Sequence, residues 1–209
     1  MQPFIIVIAH QKGGVGKSTI AFNILVELSK AFTCKGLDLD AQKSLTIFNS
    51  KRKKKLDIIS VKDPGELKQL VNNNEDLLII DVAGIDSDLN RLALLAADLL
   101  ITPVSDSEIE LYGLMNFKRI LQDIKKIRAD LKASILLNRV HPRAKAAAKE
   151  IKEFISQSDD FNMFNTILRD RADFRRSFSA GQSVIEYKKD SAAAGELKQL
   201  IKEIKLWLK

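Results

Sequence analysis

Three glycines, two lysines and a serine fall within the run Lys12-Gly13-Gly14-Val15-Gly16-Lys17-Ser18, with Thr19 directly behind. That composition suits phosphate. Glycines let successive backbone N–H groups converge on an anion, because no Cβ obstructs the approach. Lys17 would reach the β- and γ-phosphates as a point charge, and the Ser18 hydroxyl would serve Mg²⁺. The candidate nucleotide contacts are therefore Gly13, Gly14, Val15, Gly16, Lys17, Ser18 and Thr19. A strict G-x-x-x-x-G-K-S/T pattern wants glycine at position 11, where Gln11 stands, and Lys12 is a lysine that pattern does not require.

Such a loop works only between a strand and a helix. Phe4-Ile5-Ile6-Val7-Ile8 is β-branched and unbroken, the signature of a strand buried on both faces. Ser18 to Lys30 places Ile20, Ala21, Ile24, Leu25 and Leu28 at helical spacing. The alternation then continues. A second strand is expected near Thr33–Leu39, interrupted by Lys35-Gly36, and a short helix over Ala41–Phe48. A third strand, Ile58–Val61, leads through Asp63-Pro64 to a helix over Glu66–Val71. Further strands are expected at Leu77–Asp81, Leu99–Val104, Ala133–Asn138 and Asn165–Leu168. The helices between them run to about Ala97, over Glu108–Ala129 with Ile127 among its inward residues, and over Arg143–Ile155. A terminal helix, Ser191–Leu208, sets Leu197, Leu200, Ile201, Ile204 and Trp207 on one face. Regular alternation without hairpin signals predicts an α/β fold of three layers, doubly wound, with a mostly parallel sheet of about seven strands and helices on both faces. Residues 1–209 read as a single domain.

Ligands in such sheets bind beyond the carboxyl ends of the strands, and three more polar features fall there. They are Asp38 and Asp40 in GLDLDAQKS, Asp81 in LLIIDVAG, and Asn138 in ILLNRVHPR. On residue chemistry alone, Asp40 also suits a cap for the following helix, Asp81 a strand-end turn, and Asn138 a turn.

Hydrophobic content of 45% with 29% charge places the chain among ordinary folded proteins, not disordered ones. The one cysteine, Cys34, excludes a disulfide framework and indicates a reducing compartment. MQPFIIVIAH lacks a basic n-region and reads as a strand, not a signal peptide, and no apolar run reaches membrane-spanning length. A net charge of +7 favours a polyanionic partner.

KGGVGKS resembles the deviant Walker A loop of the ParA/MinD family of ATPases, and the small ParF-like ParA proteins of plasmid partition are similar in size. The resemblance implies a P-loop NTPase fold, ATP/ADP and Mg²⁺ as cofactors, and slow hydrolysis of ATP to ADP and phosphate. It makes Lys12 the signature lysine, crossing an ATP-bound homodimer to the other copy's nucleotide; the remaining alternative is a solvated loop lysine. Two nucleotides facing one another repel, and one cation contact at 4 Å offsets this by on the order of 4 kcal/mol at an effective dielectric near 20. With Lys12 and Lys17, the implied catalytic set includes Asp40, which orients or activates the attacking water. GLDLDAQKS resembles the family's second-strand motif, with Ala41 replacing its usual proline; Asp38 then supports the metal shell. LLIIDVAG resembles a Walker B strand whose Asp81 holds Mg²⁺ through water. Asn138 lies where the family binds adenine.

ILRDRADFRRSFSAGQSVIEY resembles the stretch that binds non-specific double-stranded DNA in the ATP dimer of those proteins. The implied DNA-binding residues are Arg169, Arg171, Arg175, Arg176, Lys188 and Lys189, although Asp170 and Asp173 are interleaved and would pair with them. Lys51–Lys55 is a denser basic run, ranked second. The implied cycle is a cytoplasmic one, nucleoid-associated in the ATP state, in which a ParB-type centromere-binding or cargo adaptor protein stimulates hydrolysis. Two rivals remain: a MinD-like membrane-cycling protein using the basic, amphipathic terminal helix, and a metabolic ATP-dependent enzyme. A membrane partner ranks below DNA.

Overall fold

In the computed structural model, which describes residues 2–84, 87–106, 108–141 and 145–208, strands and helices alternate from the outset. The first half comprises β1 (Phe4–Ile8), α1 (Lys17–Leu28), β2 (Cys34–Asp38), α2 (Ser44–Ser50), β3 (Asp57–Ile59), α3 (Pro64–Asn72) and β4 (Leu77–Asp81). Then come α4 (Asp88–Leu95), β5 (Leu99–Val104), α5 (Glu108–Lys125), β6 (Ala133–Val140) and α6 (Lys145–Ser156). The chain continues through β7 (Phe161–Met163), β8 (Leu168–Arg169), α7 (Ala172–Ser179), α8 (Val184–Tyr187) and α9 (Ala192–Trp207).

The strands lie in the order β3-β2-β4-β1-β5-β6-β7, with β8 also beside β6, and every described pairing is parallel. The period of two divides each central strand between two cores. Ile5 and Val7 of β1 join the core that holds Leu114, Phe117 and Leu121 of α5. Ile6 and Ile8 join the opposite core, with Phe22 and Leu25 of α1 and Leu197 and Leu200 of α9. Register sets Ile8 and Asp38 on either side of Asp81, so the phosphate loop and two carboxylates emerge from adjacent strand ends.

Several expected boundaries move. Lys35-Gly36 does not interrupt β2: a Cβ on Gly36 would come within 2.7 Å of Leu25 and of Ile58, so glycine lets α1 pack close. Asn165–Leu168 is not the seventh strand; Phe161–Met163 is, and β8 begins at Leu168. Helix α5 ends at Lys125, which leaves Ile127 beyond it and 78% exposed rather than inward. Trp207, at the last turn of α9, is 44% exposed, whereas Leu197, Leu200, Ile201 and Ile204 are buried. Helices α7 and α8, unforeseen, flank the turn at Gly181. The expected start of α6, Arg143, lies outside the described residues.

Candidate functional site

Gly14 and Gly16 adopt φ of +78° and +93°, the left-handed region that only glycine enters freely. Gly16 is constrained twice, since a Cβ there would stand 2.6 Å from Nδ2 of Asn138. It is also the N-cap of α1, and no side chain caps that helix, so its first-turn N–H groups are left for an anion. Lys17 is 6% exposed and its Nζ donates to the Lys12 carbonyl over 2.9 Å, against the inner side of the loop.

Three residues that sequence patterns did not assign to loop shaping hold it open. Nδ1 of buried His10 accepts from the Lys12 N–H at 2.9 Å. Nδ2 of Asn138 donates to the Val15 carbonyl, and the Arg139 guanidinium donates to the Gly14 carbonyl, both over 2.7 Å. Asn138 is a buried residue within β6, not a turn asparagine; the positive φ belongs to Arg139. A polar pair at a strand's carboxyl end was visible in the sequence, but its target is distant along the chain.

The three aspartates divide their work. Asp38 is buried, its Oδ1 accepting from the Asp40 N–H at 3.2 Å and its Oδ2 from both the N–H and hydroxyl of Thr46 at 3.0 Å. Expected to support the metal shell, it braces the turn that carries Asp40 through these bonds. Asp40 does not cap α2, whose N-cap is Lys43; its Oδ1 accepts from the Gln42 N–H in a local turn. Asp81 is wholly buried and neither oxygen meets a hydrogen-bond partner at full geometry, although the Ser18 hydroxyl lies close enough to draw its pKa down. Burial, then the charges of Asp38 and Asp40, nevertheless push its carboxyl up to about 7. A buried, orphaned carboxylate beside Ser18 and Lys17 is what a divalent cation would relieve, so these residues fit Mg²⁺. The cation would neutralise charge on the nucleotide's phosphates.

A cavity of about 490 Å³ is lined by Gly13, Lys17, Ser18, Asp40, Asn138 and Arg139. Residues of β8 and α7 line it as well. Arg169, Arg171 and Arg175 border it, Arg169 and Arg171 both bonded to Glu196 and Arg175 to Asp170. Arg176 is exposed elsewhere on α7, and Lys188 and Lys189 are exposed beyond α8. Of the six residues expected on DNA, three therefore border the nucleotide cavity in acid pairs and three are exposed outside its lining. Lys12 lines a separate hollow of about 400 Å³, with Ser105, Asp106 and Arg139.

The CobQ/CobB/MinD/ParA nucleotide binding domain family matches residues 6–184. Maintenance of carboxysome distribution protein A of Halothiobacillus neapolitanus is 26% identical over 96% of each chain. Protein ParA of Rhizobium radiobacter is 27% identical over 66% of this chain and 65% of its own. Apo McdA of Cyanthece has the same fold, with a TM-score of 0.79 at 18% identity and full coverage of both chains. With its phosphate loop, its orphaned Asp81 and its parallel sheet all in register, the chain belongs to the CobQ/CobB/MinD/ParA nucleotide-binding family.

Proposed function

We propose that this chain, one domain over residues 1–209, is a ParA-type positioning ATPase. ATP closes two copies face to face, the dimer holds non-specific DNA, and an adaptor on the cargo stimulates hydrolysis and release. The observation that carries this reading is the division of the two loop lysines: Lys17 lines the cavity of its own loop, while Lys12 lines a different hollow with Ser105 and Asp106. One cation per nucleotide from each copy offsets the repulsion of two facing triphosphates.

Within each site Lys17 and the α1 amino end bind the β- and γ-phosphates, Ser18 and Asp81 hold Mg²⁺, and Asn138 with the β8 wall receives the adenine. Asp40 orients the water that attacks the γ-phosphate. A single positioned carboxylate gives slow turnover, which suits a timer.

The cargo is a plasmid, a chromosome or a protein assembly. Likeness along the whole chain to a carboxysome distribution protein supports the last of these. Among the described residues no helix is long and apolar enough to cross a membrane, and α9 turns its apolar face to the sheet. The packing of α9 favours DNA over a membrane surface as the track, with the protein on the nucleoid in the ATP state.

Light scattering of the purified chain in saturating Mg·ATP, in Mg·ADP and without nucleotide tests the reading. A doubled mass in ATP alone is expected. A chain that stays monomeric in all three, at low salt and high concentration, overturns it.

A further inference from the structure

We infer that the edge loop Lys51–Lys55, and not the arginines around β8 and α7, is the surface that grips the DNA backbone. This rests on the DNA-binding reading above and assigns it a place.

Arg52 is the loop's anchor. Its guanidinium donates to both oxygens of Glu186 at 2.8 and 3.0 Å, donates to the Gly181 carbonyl at 2.9 Å and lies over the ring of Phe22. Asn49 closes the loop's base, its side chain donating to the Leu56 carbonyl and accepting from the Leu56 N–H. Gly181, at φ +67°, fits so closely that a Cβ would stand 2.9 Å from the Phe48 carbonyl. The lysines therefore ride on a clamped loop. Little backbone entropy remains to be lost on binding, unlike in a free basic run.

Their charge is also available. Lys53 and Lys54 are exposed and make no ion pair among the described residues. The hollow between this loop and the α7–α8 turn, about 350 Å³, is lined by Lys51, Arg52, Lys53 and Lys54, and its single carboxylate, Glu186, already serves Arg52. Lys188 and Lys189, both exposed, follow α8 in the chain. By contrast, Arg169, Arg171 and Arg175 are acid-paired and border the nucleotide cavity, where DNA would compete with ATP.

Position completes the case. The loop enters β3 at its amino end, opposite the strand ends that carry the phosphate loop. β3 is three residues long, a span of roughly 10 Å and so about one Debye length at physiological salt, which weakens the repulsion between a bound triphosphate and a DNA phosphate at the loop. Pairing two copies doubles the phosphate contacts and makes a weak patch effective.

The test is fluorescence anisotropy of a labelled duplex of arbitrary sequence with the full chain in Mg·ATP, across about 50–200 mM salt. It compares wild type, Lys53→Gln/Lys54→Gln and Arg169→Gln/Arg171→Gln, with light scattering as the control for dimerisation. The lysine variant should dimerise normally, bind at least tenfold more weakly, and lower the log–log salt slope by about 1.8 per copy. Wild-type affinity and slope in that variant, or loss of DNA only in the arginine variant at saturating ATP, overturns this assignment and leaves the DNA reading intact. A wild-type chain that dimerises but ignores DNA, or pellets instead with phosphatidylserine vesicles, overturns both.

Discussion

Asn138 donates its side-chain amide to the carbonyl of Val15 over 2.7 Å, tying the end of β6 to the loop after β1. With the Gly14 carbonyl held likewise by Arg139, two carbonyls of the loop are pinned and its N–H groups are set for an anion. Asn138→Ala should leave the sheet folded but weaken nucleotide binding about tenfold, the cost of freeing one buried carbonyl. Titration with a fluorescent ATP analogue measures it; unchanged affinity would remove Asn138 from the loop's support.

Lys12→Ala should separate binding from pairing. Lys17 and the α1 amino end remain, so ADP affinity should change less than threefold while the ATP-driven rise in mass disappears. Equal dimerisation of variant and wild type by light scattering would refute the cross-dimer role.

Much of this was legible in local sequence, and the exceptions share a cause. β4 and β5 fall where Leu77–Asp81 and Leu99–Val104 were expected, because a short apolar run buried on both faces has few other homes. The Asp63 cap also stands where Asp63-Pro64 places it, accepting from the Glu66 N–H. Ile127 and Trp207 followed helical spacing but sit at or past helix ends, which periodicity cannot locate. α7 is rich in arginine and serine, and its ordering comes from Phe178 packing on Phe48, with ring centroids 3.7 Å apart, and on Phe22. The roles of Asn138, of Asp38 as a brace and of Arg52 as an anchor all depend on partners or turns that no spacing rule encodes.

Asp81→Asn should stabilise the nucleotide-free protein while removing its Mg²⁺ dependence. The folded carboxyl keeps its proton up to about pH 7, whereas an unfolded one releases it near 3.8, so the folded state carries the extra proton between those values. Wild-type stability relative to the variant should therefore fall as pH rises through that window and level off above it. At pH 8 the variant should be more stable by roughly 1–3 kcal/mol. Paired melts from pH 4 to 8, with ATP titrations with and without Mg²⁺, check both halves; a less stable variant at pH 8 would mean Asp81 is satisfied by protein donors alone.

Arg52→Ala should cost about 2 kcal/mol, because it frees the Gly181 carbonyl and leaves Glu186, whose side chain is 25% exposed, without its partner. Burial raises the Glu186 pKa, but the Arg52 and Ser183 hydrogen bonds outweigh it and hold the carboxyl below its ordinary 4.5. That stabilisation is complete above pH 4.5 and is lost as pH falls through the folded value. The gap between wild type and variant in urea melts should hence narrow only in acid. A gap that narrows above pH 5 would point to another group.

Cys34 supplies the folding control these variants need. It lies on β2 with 9% exposure, and burial, followed by the charge of Asp76, pushes its thiol up to about 12. At pH 8 its thiolate fraction is then about a thousandfold below that of an ordinary cysteine, and the buried sulfur is also hard to reach. Iodoacetamide should leave the native chain unmodified over hours at pH 8 and alkylate it within minutes in denaturant. In each variant, native-state resistance equal to wild type would assign the lost function to the site; fast labelling would assign it to opening of the β2–α1 layer.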